Sequence, residues 1–167
     1  MQALKYLAGY PAHVVERAQQ LIDNQQLAAM LRKKYPAGHD VKSDRALYFY
    51  VMDLKNQFLR QSSPLSKVVY DDKLDVSYQA LGLNSSVSRL HGGKLRVKNE
   101  IRIGSVFKNA PLDFLKMIAV HELAHLRVKP HNKAFYQLCL HMEPNYHQLE
   151  FDARLFLSLV DSGTLIY

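Results

Sequence analysis

The run "PLDFLKMIAVHELAHLRV", residues 111–128, constrains the fold more than any other stretch. Leu112, Phe114, Leu115, Met117, Ile118, Ala119, Val120, Leu123, Ala124 and Leu126 are apolar. Wound at about 3.6 residues per turn they leave little polar face, and a helix that is apolar nearly all round is a buried one. Pro111 suits its first turn. The rest of the chain must therefore wrap this helix. Yet the run also holds His121, Glu122 and His125. A buried carboxylate with no compensating charge costs several kcal/mol, so a positive charge is expected beside it.

The wrapping elements follow from periodicity. Residues 11–33 read as one helix, with Val14, Ala18, Leu21, Ile22 and Leu27 near one face. "YPAGHD" at 35–40 breaks it, and a second helix over 43–61 has Ser43 or Asp44 as its cap. The middle of the chain changes period. Residues 67–76 read as a hairpin turning at Asp71-Asp72, and Gly92-Gly93 forms a turn between two strand-like runs. From Lys94 to Ile103 the alternation is strict, with Asn99 the odd member on the apolar side. That pattern fits one long strand, or two broken near Lys98-Asn99. Helices return over 111–128, 132–142 and 145–160, the last two separated by Glu143-Pro144. Helices, a small sheet and further helices make a compact α+β domain. At 167 residues we expect one domain, 1–167. Its helical part spans about 1–62, its sheet about 65–108 and its catalytic helical part about 110–160.

No apolar run is long enough to span a membrane, and the N-terminus lacks a hydrophobic signal core. The expected location is cytoplasmic. The lone cysteine, Cys139, excludes an internal disulfide and a cysteine-based metal site. The net charge of +7 is concentrated. Arg89, Lys94, Arg96, Lys98, Arg102 and Lys108 face a single acid, Glu100, within residues 87–108. Such a stretch is either a solvated strand face or a surface that meets an anion.

His121 and His125 are four residues apart, so on a helix both imidazoles project from one side and can reach one ion. Glu122 lies beside them, placed to hold a water by its proton without taking a ligand position. This is the H-E-x-x-H arrangement of metal-dependent hydrolases. A third ligand is needed, and His131 is the best candidate. On a continuous helix it would point away, but Pro130 forces the helix to stop near Lys129 and lets the chain fold back. His141, Glu143, His147 and Glu150 are the alternatives. Three protein ligands with one open position are the catalytic form of a zinc site, with Glu122 as general base. Zn2+ suits imidazole ligands, though other divalent metals can substitute.

The stretch "HELAHLRVKPHNKAF" carries His-Glu-x-x-His, five residues, His, three residues, Phe. It resembles the YgjP-like metallopeptidase family, and is similar to WLM and SprT-like zinc proteases. The resemblance covers residues 85–155 firmly. It implies a zincin-like α+β fold, zinc on His121, His125 and His131, and Glu122 as catalytic base. The region "LHGGKLRVKNEIRIG" departs from the Trp- and Cys-containing segment of many members. It carries Lys94, Arg96, Lys98 and Arg102 instead, which we read as candidate substrate-binding residues. The leading expectation is a zinc-dependent hydrolase with a metallopeptidase-type site, its bond, peptide or phosphoanhydride, left open by the sequence. The alternative, also implied by the resemblance, is UTP pyrophosphatase activity on an anionic nucleotide. A nucleic-acid-binding module with a structural metal is less favoured, because the basic stretch lacks the interleaved aromatics that stack bases.

Overall fold

The computed structural model describes residues 4–74, 82–91 and 94–167, with the backbone alone for 82–91 and 94–98. Among these, α1 (Ala12–Asp23), α2 (Leu27–Lys34) and α3 (Asp44–Phe58) precede β1 (Leu65–Asp71), β2 (Gly82–His91) and β3 (Lys94–Gly104). Then follow α4 (Leu112–Ala124), α5 (Lys133–Met142) and α6 (Tyr146–Asp161). The α+β organisation read from the sequence is the one observed.

Helix α4 is the axis of the core. Phe114, Leu115 and every residue from Met117 to Ala124 are buried, His121 and Glu122 included. It packs on α5 and α6 on one side and on β2 and β3 on the other. The sheet has the order β1-β3-β2. β3 pairs antiparallel with β2 and parallel with β1, the latter with an irregularity between Leu65 and Lys67. The alternating run is thus one strand. Ile101 and Ile103 are fully buried, while Glu100 and Arg102 on the other face are half-buried. Asn99 is buried too, and its side-chain amide donates to the Pro64 carbonyl at 3.3 Å. A polar group on the core side is affordable because it is hydrogen-bonded.

Three expectations are corrected. The segment 11–33 is two helices, because Gln25 adopts a left-handed conformation (φ 57°). The Gln25 N–H donates to the Ile22 carbonyl (2.9 Å) and the Gln26 N–H to Leu21 (2.8 Å), a Schellman stop built without glycine. The strand at 65–71 does not form a hairpin at Asp71-Asp72 but takes β3 as a parallel partner; residues 75–76 of that expectation lie outside the described residues. Helix α4 ends at Ala124, ahead of the stop near Lys129 that Pro130 implied. The turn expected at Gly92-Gly93 is outside the described residues, though the β2–β3 register leads to it from His91 opposite Lys94.

The start of α4 is clasped by the loop after α2. The His39 N–H donates to the Ala110 carbonyl at 3.0 Å. The buried His39 ring donates through Nε2 to the Phe107 carbonyl (2.8 Å) and accepts the Val41 N–H at Nδ1 (2.9 Å). Gly38 passes so close that a Cβ there would sit 3.1 Å from the Asn109 carbonyl oxygen. Ser43 caps α3, its hydroxyl accepting the Ala46 N–H at 3.1 Å.

Candidate metal centre

His121 lies in the last turn of α4 and is only 4% exposed. His125 is the C-cap, with φ −66° and ψ −14°. Its backbone is still helical, so the four-residue spacing keeps both rings on one side even though the helix has ended. The chain then tightens. Leu126 N–H bonds the Leu123 carbonyl (3.0 Å) and Arg127 N–H the Ala124 carbonyl (3.1 Å), three-residue bonds that close a helix end. Past Pro130, Asn132 starts α5, its side-chain oxygen accepting the Phe135 N–H at 3.0 Å. This reversal delivers His131 to the other two rings. Its Nε2 lies 3.0 Å from His125 Nε2 and 3.2 Å from His121 Nε2. The buried Phe135 ring packs against all three imidazoles, with centroids 4.5–4.9 Å away.

The donor chemistry fits a divalent cation. The Val128 carbonyl can only accept, so its 3.1 Å bond puts the proton of neutral His125 on Nδ1. The Nε2 lone pair of His125 is thereby turned to the cluster. Nitrogens this close repel unless a proton or a cation stands among them, and one proton bridges only one pair. Tetrahedral nitrogens about 2.05 Å from a zinc ion are about 3.3 Å from one another, near the spacing found. Burial, then the neighbouring His125 and His131, pushes the His121 ring down to about 3. Burial likewise lowers His125. Both rings are therefore neutral near pH 7, which is the ligating form. Burial raises the Glu122 carboxyl to about 8, and a nearby cation would bring it back toward ionisation.

The alternative third ligands are engaged elsewhere. Glu143 pairs with Lys116 at 2.5 Å and accepts the Asn145 N–H. Glu150 pairs with Arg154 at 2.8 Å. His141 is exposed, edge-on to Phe58, and His147 is exposed against Tyr136. Among the described residues, the group able to hold an ion is His121, His125 and His131.

One neighbour was not assigned a role from sequence. The Tyr146 hydroxyl lies 2.7 Å from His121 Nδ1, and the ring is fully buried. The available signal was the Tyr146, Glu150, Arg154 series, each four residues on, which shares a face of α6.

The basic residues divide. Arg102 is held by Asp71 (3.3 Å) and Glu100 (3.8 Å). The side chains of Lys94, Arg96 and Lys98 lie outside the described residues. Their register positions on β3 are opposite His91, Arg89 and Val87 of β2. Closer to the histidines in the chain, Arg127, Lys129 and Lys133 are exposed, and residues 123–142 contain no acid. Arg127 Nε donates to the Ser62 hydroxyl at 3.0 Å, and Lys129 lies near enough for its charge to act on His125.

Residues 13–152 match the family described as YgjP-like, metallopeptidase domain. The chain belongs to the YgjP-like family. The match reaches upstream of the 85–155 stretch that carries the sequence motif and takes in the N-terminal helices. The chain is also similar to UTP pyrophosphatase of Escherichia coli (strain K12), with 56% identity over 163 residues covering 98% of both chains. No solved structure matches it. As a YgjP-like protein the chain is a hydrolase, and its histidine cluster could hold a metal ion. Among the described residues, no helix is long and apolar enough to cross a membrane.

Proposed function

We propose that this YgjP-like protein is a zinc-dependent hydrolase that cleaves a nucleoside triphosphate between its α- and β-phosphates, converting UTP and water to UMP and pyrophosphate. The observation that carries the substrate is the 56% identity, over 98% of each chain, to a UTP pyrophosphatase. His121, His125 and His131 would hold the ion through their Nε2 atoms. An all-imidazole set favours zinc. When bound, the ion supplies Lewis-acid activation of water and of the bond under attack.

The remaining chemistry belongs to the chain. Glu122, buried next to His121 in α4, takes the proton from the attacking water and returns it to the departing pyrophosphate. The buried wall formed by Phe135 and the apolar face of α4 keeps bulk water from the inner side of the site. Lys94, Arg96, Lys98 and Arg102 on β3, with Arg127, Lys129 and Lys133 beside the histidines, provide cations for a polyanion. A bound triphosphate would draw Arg102 only in competition with Asp71 and Glu100. The reading includes a cytoplasmic location, where nucleoside triphosphates are available.

Peptide hydrolysis is a second reading, favoured by the metallopeptidase domain that the family carries. A nucleic-acid module with a structural metal fits less well, since three imidazoles leave a tetrahedral position open. Purified protein loaded with Zn2+ should be incubated with the four nucleoside triphosphates and with unstructured peptides, beside Glu122→Gln. Release of UMP and pyrophosphate by the wild type alone supports the nucleotide reading. Peptide cleavage with intact UTP overturns it.

A further inference from the structure

Lys55 stands in the last turn of α3 and is only 4% exposed. A lysine is almost never buried to this degree unless it is paired. Its Nζ donates to the Ser62 carbonyl at 3.3 Å. Arg127 reaches the same residue from the end of α4, donating through Nε to the Ser62 hydroxyl at 3.0 Å. Among the described residues, neither cation forms an ion pair with a carboxylate. The loop they share, residues 59–64, contains no acid and adds Arg60.

A tether accounts for part of this. A cation in the last turn suits the negative end of the helix dipole, and a lysine there can hold a carbonyl beyond the helix. A tether does not call for a second cation on the same residue. Like charges brought to one serine repel, and burying one of them without a counter-charge adds a desolvation cost. An anion between them relieves both. Each cation has further N–H groups to donate.

The loop is set in place independently of any ligand. Leu59 N–H donates to the Lys55 carbonyl (2.7 Å) and Ser62 N–H to the Leu59 carbonyl (2.9 Å). The Pro64 carbonyl accepts the Asn99 amide (3.3 Å). Donors held this way lose little freedom on binding. Arg127 joins the loop to the histidines. It follows His125 by two residues, and its backbone N–H donates to the Ala124 carbonyl at 3.1 Å. Its stem therefore starts at the helix end that carries the candidate ligands.

We propose that Lys55, Ser62 and Arg127 form an anion subsite that holds the pyrophosphate end of a nucleoside triphosphate, the end that departs. The subsite rests on the nucleotide reading of the histidine centre and extends it. The α-phosphate meets the histidines, and the outer phosphates run along Arg127 to Lys55. Charge gathers on the pyrophosphate as its bond to the α-phosphate breaks, so cations there favour the transition state. The product UMP lacks the outer phosphates and leaves the subsite empty.

The full-length chain tests this as wild type, Lys55→Met and Arg127→Gln. Each is titrated metal-free with inorganic pyrophosphate by calorimetry, so that chelation of zinc by the ligand does not enter. Urea unfolding midpoints are taken in parallel, and UTP turnover is followed separately on the zinc-loaded proteins. Wild type should bind pyrophosphate. Lys55→Met should weaken that binding about tenfold or more, and Arg127→Gln, at an exposed position, by a smaller factor. Should Lys55→Met fail to fold, the Arg127→Gln titration decides. A wild type that binds no pyrophosphate overturns the subsite. So do variants that bind it as tightly as wild type, and a lowered unfolding midpoint in such a Lys55→Met would leave that residue as a tether alone. Lys55-dependent pyrophosphate binding in a protein that leaves UTP intact would keep the anion site and overturn the nucleotide reading instead.

Discussion

The Nε2 atoms of His125 and His131 lie 3.0 Å apart although Pro130 separates the two residues in the chain. One nitrogen belongs to the end of a buried helix and the other to an exposed turn. The candidate ligand set is therefore two parts rigid core and one part loop, and the two parts should respond differently to substitution.

His131→Ala removes an exposed side chain, so metal-free stability should change by no more than about 0.5 kcal/mol while bound zinc is lost. His121→Ala removes a buried ring and strands the Tyr146 hydroxyl, and should also cost about 1–3 kcal/mol in the metal-free protein. Metal content by elemental analysis and midpoints of urea unfolding separate the two effects. Equal stability losses would contradict the division.

Glu122→Gln keeps the shape of the side chain and removes its basicity. Zinc content should be retained, and kcat for UTP should fall about 10²–10⁴-fold. A variant that turned over at the wild-type rate would exclude Glu122 as the base.

The same substitution gives a sign-determined pH effect. Glu122 titrates near 8 in the folded metal-free protein because burial disfavours its charge, against 4.5 for an ordinary glutamate. Its contribution to stability is fully present below about pH 4.5 and is lost as pH rises toward about 8, each unit being worth about 1.4 kcal/mol. Metal-free wild type should therefore weaken relative to metal-free Glu122→Gln across that window. His121 works the other way. Its pKa is depressed to about 3 from 6.5, so its contribution is present above 6.5 and lost as pH falls toward 3. Unfolding midpoints of both proteins from pH 4 to 9 test this, and a gap that did not widen with pH would contradict the Glu122 assignment.

If the substrate is a triphosphate, removing cations should raise KM and leave the metal in place. Combined Lys94→Ala, Arg96→Ala and Lys98→Ala should raise KM for UTP about tenfold or more, with a weaker dependence on salt than the wild type. Arg102→Ala should instead act partly on stability, since that side chain already serves Asp71 and Glu100. Unchanged KM in the triple variant would move the search for phosphate contacts to Arg127, Lys129 and Lys133.

Asn132→Ala removes the cap that starts α5 immediately after His131. It should cost about 1 kcal/mol and also weaken zinc binding by loosening the turn that presents His131. Calorimetry and chelator competition read the two quantities independently.

The part of this protein legible in the sequence is what local periodicity controls. An apolar-all-round helix with histidines four apart can be read from residues 111–128 alone, and Pro130 signals the reversal that brings His131 back. Asn99 stands out as a polar residue on a core face, and the Pro64 carbonyl explains it. What could not be read depends on distant partners. The strand at 65–71 shows its type but not its partner, because a parallel neighbour some thirty residues on leaves no local signature. The break at Gln25 carries no glycine to mark it. Tyr146 reads from the sequence as either core or surface, and its hydroxyl acquires meaning only when α6 is laid against α4.

The clasp formed by Gly38 and His39 on Asn109, Phe107 and Ala110 joins the first third of the chain to the base of the histidine-bearing helix. A shortened protein trimmed to the motif-bearing half would shed that anchor and expose the carbonyls it covers. Engineering a minimal version should therefore begin upstream of residue 38, because the histidine-bearing half has borrowed its foundation from the other.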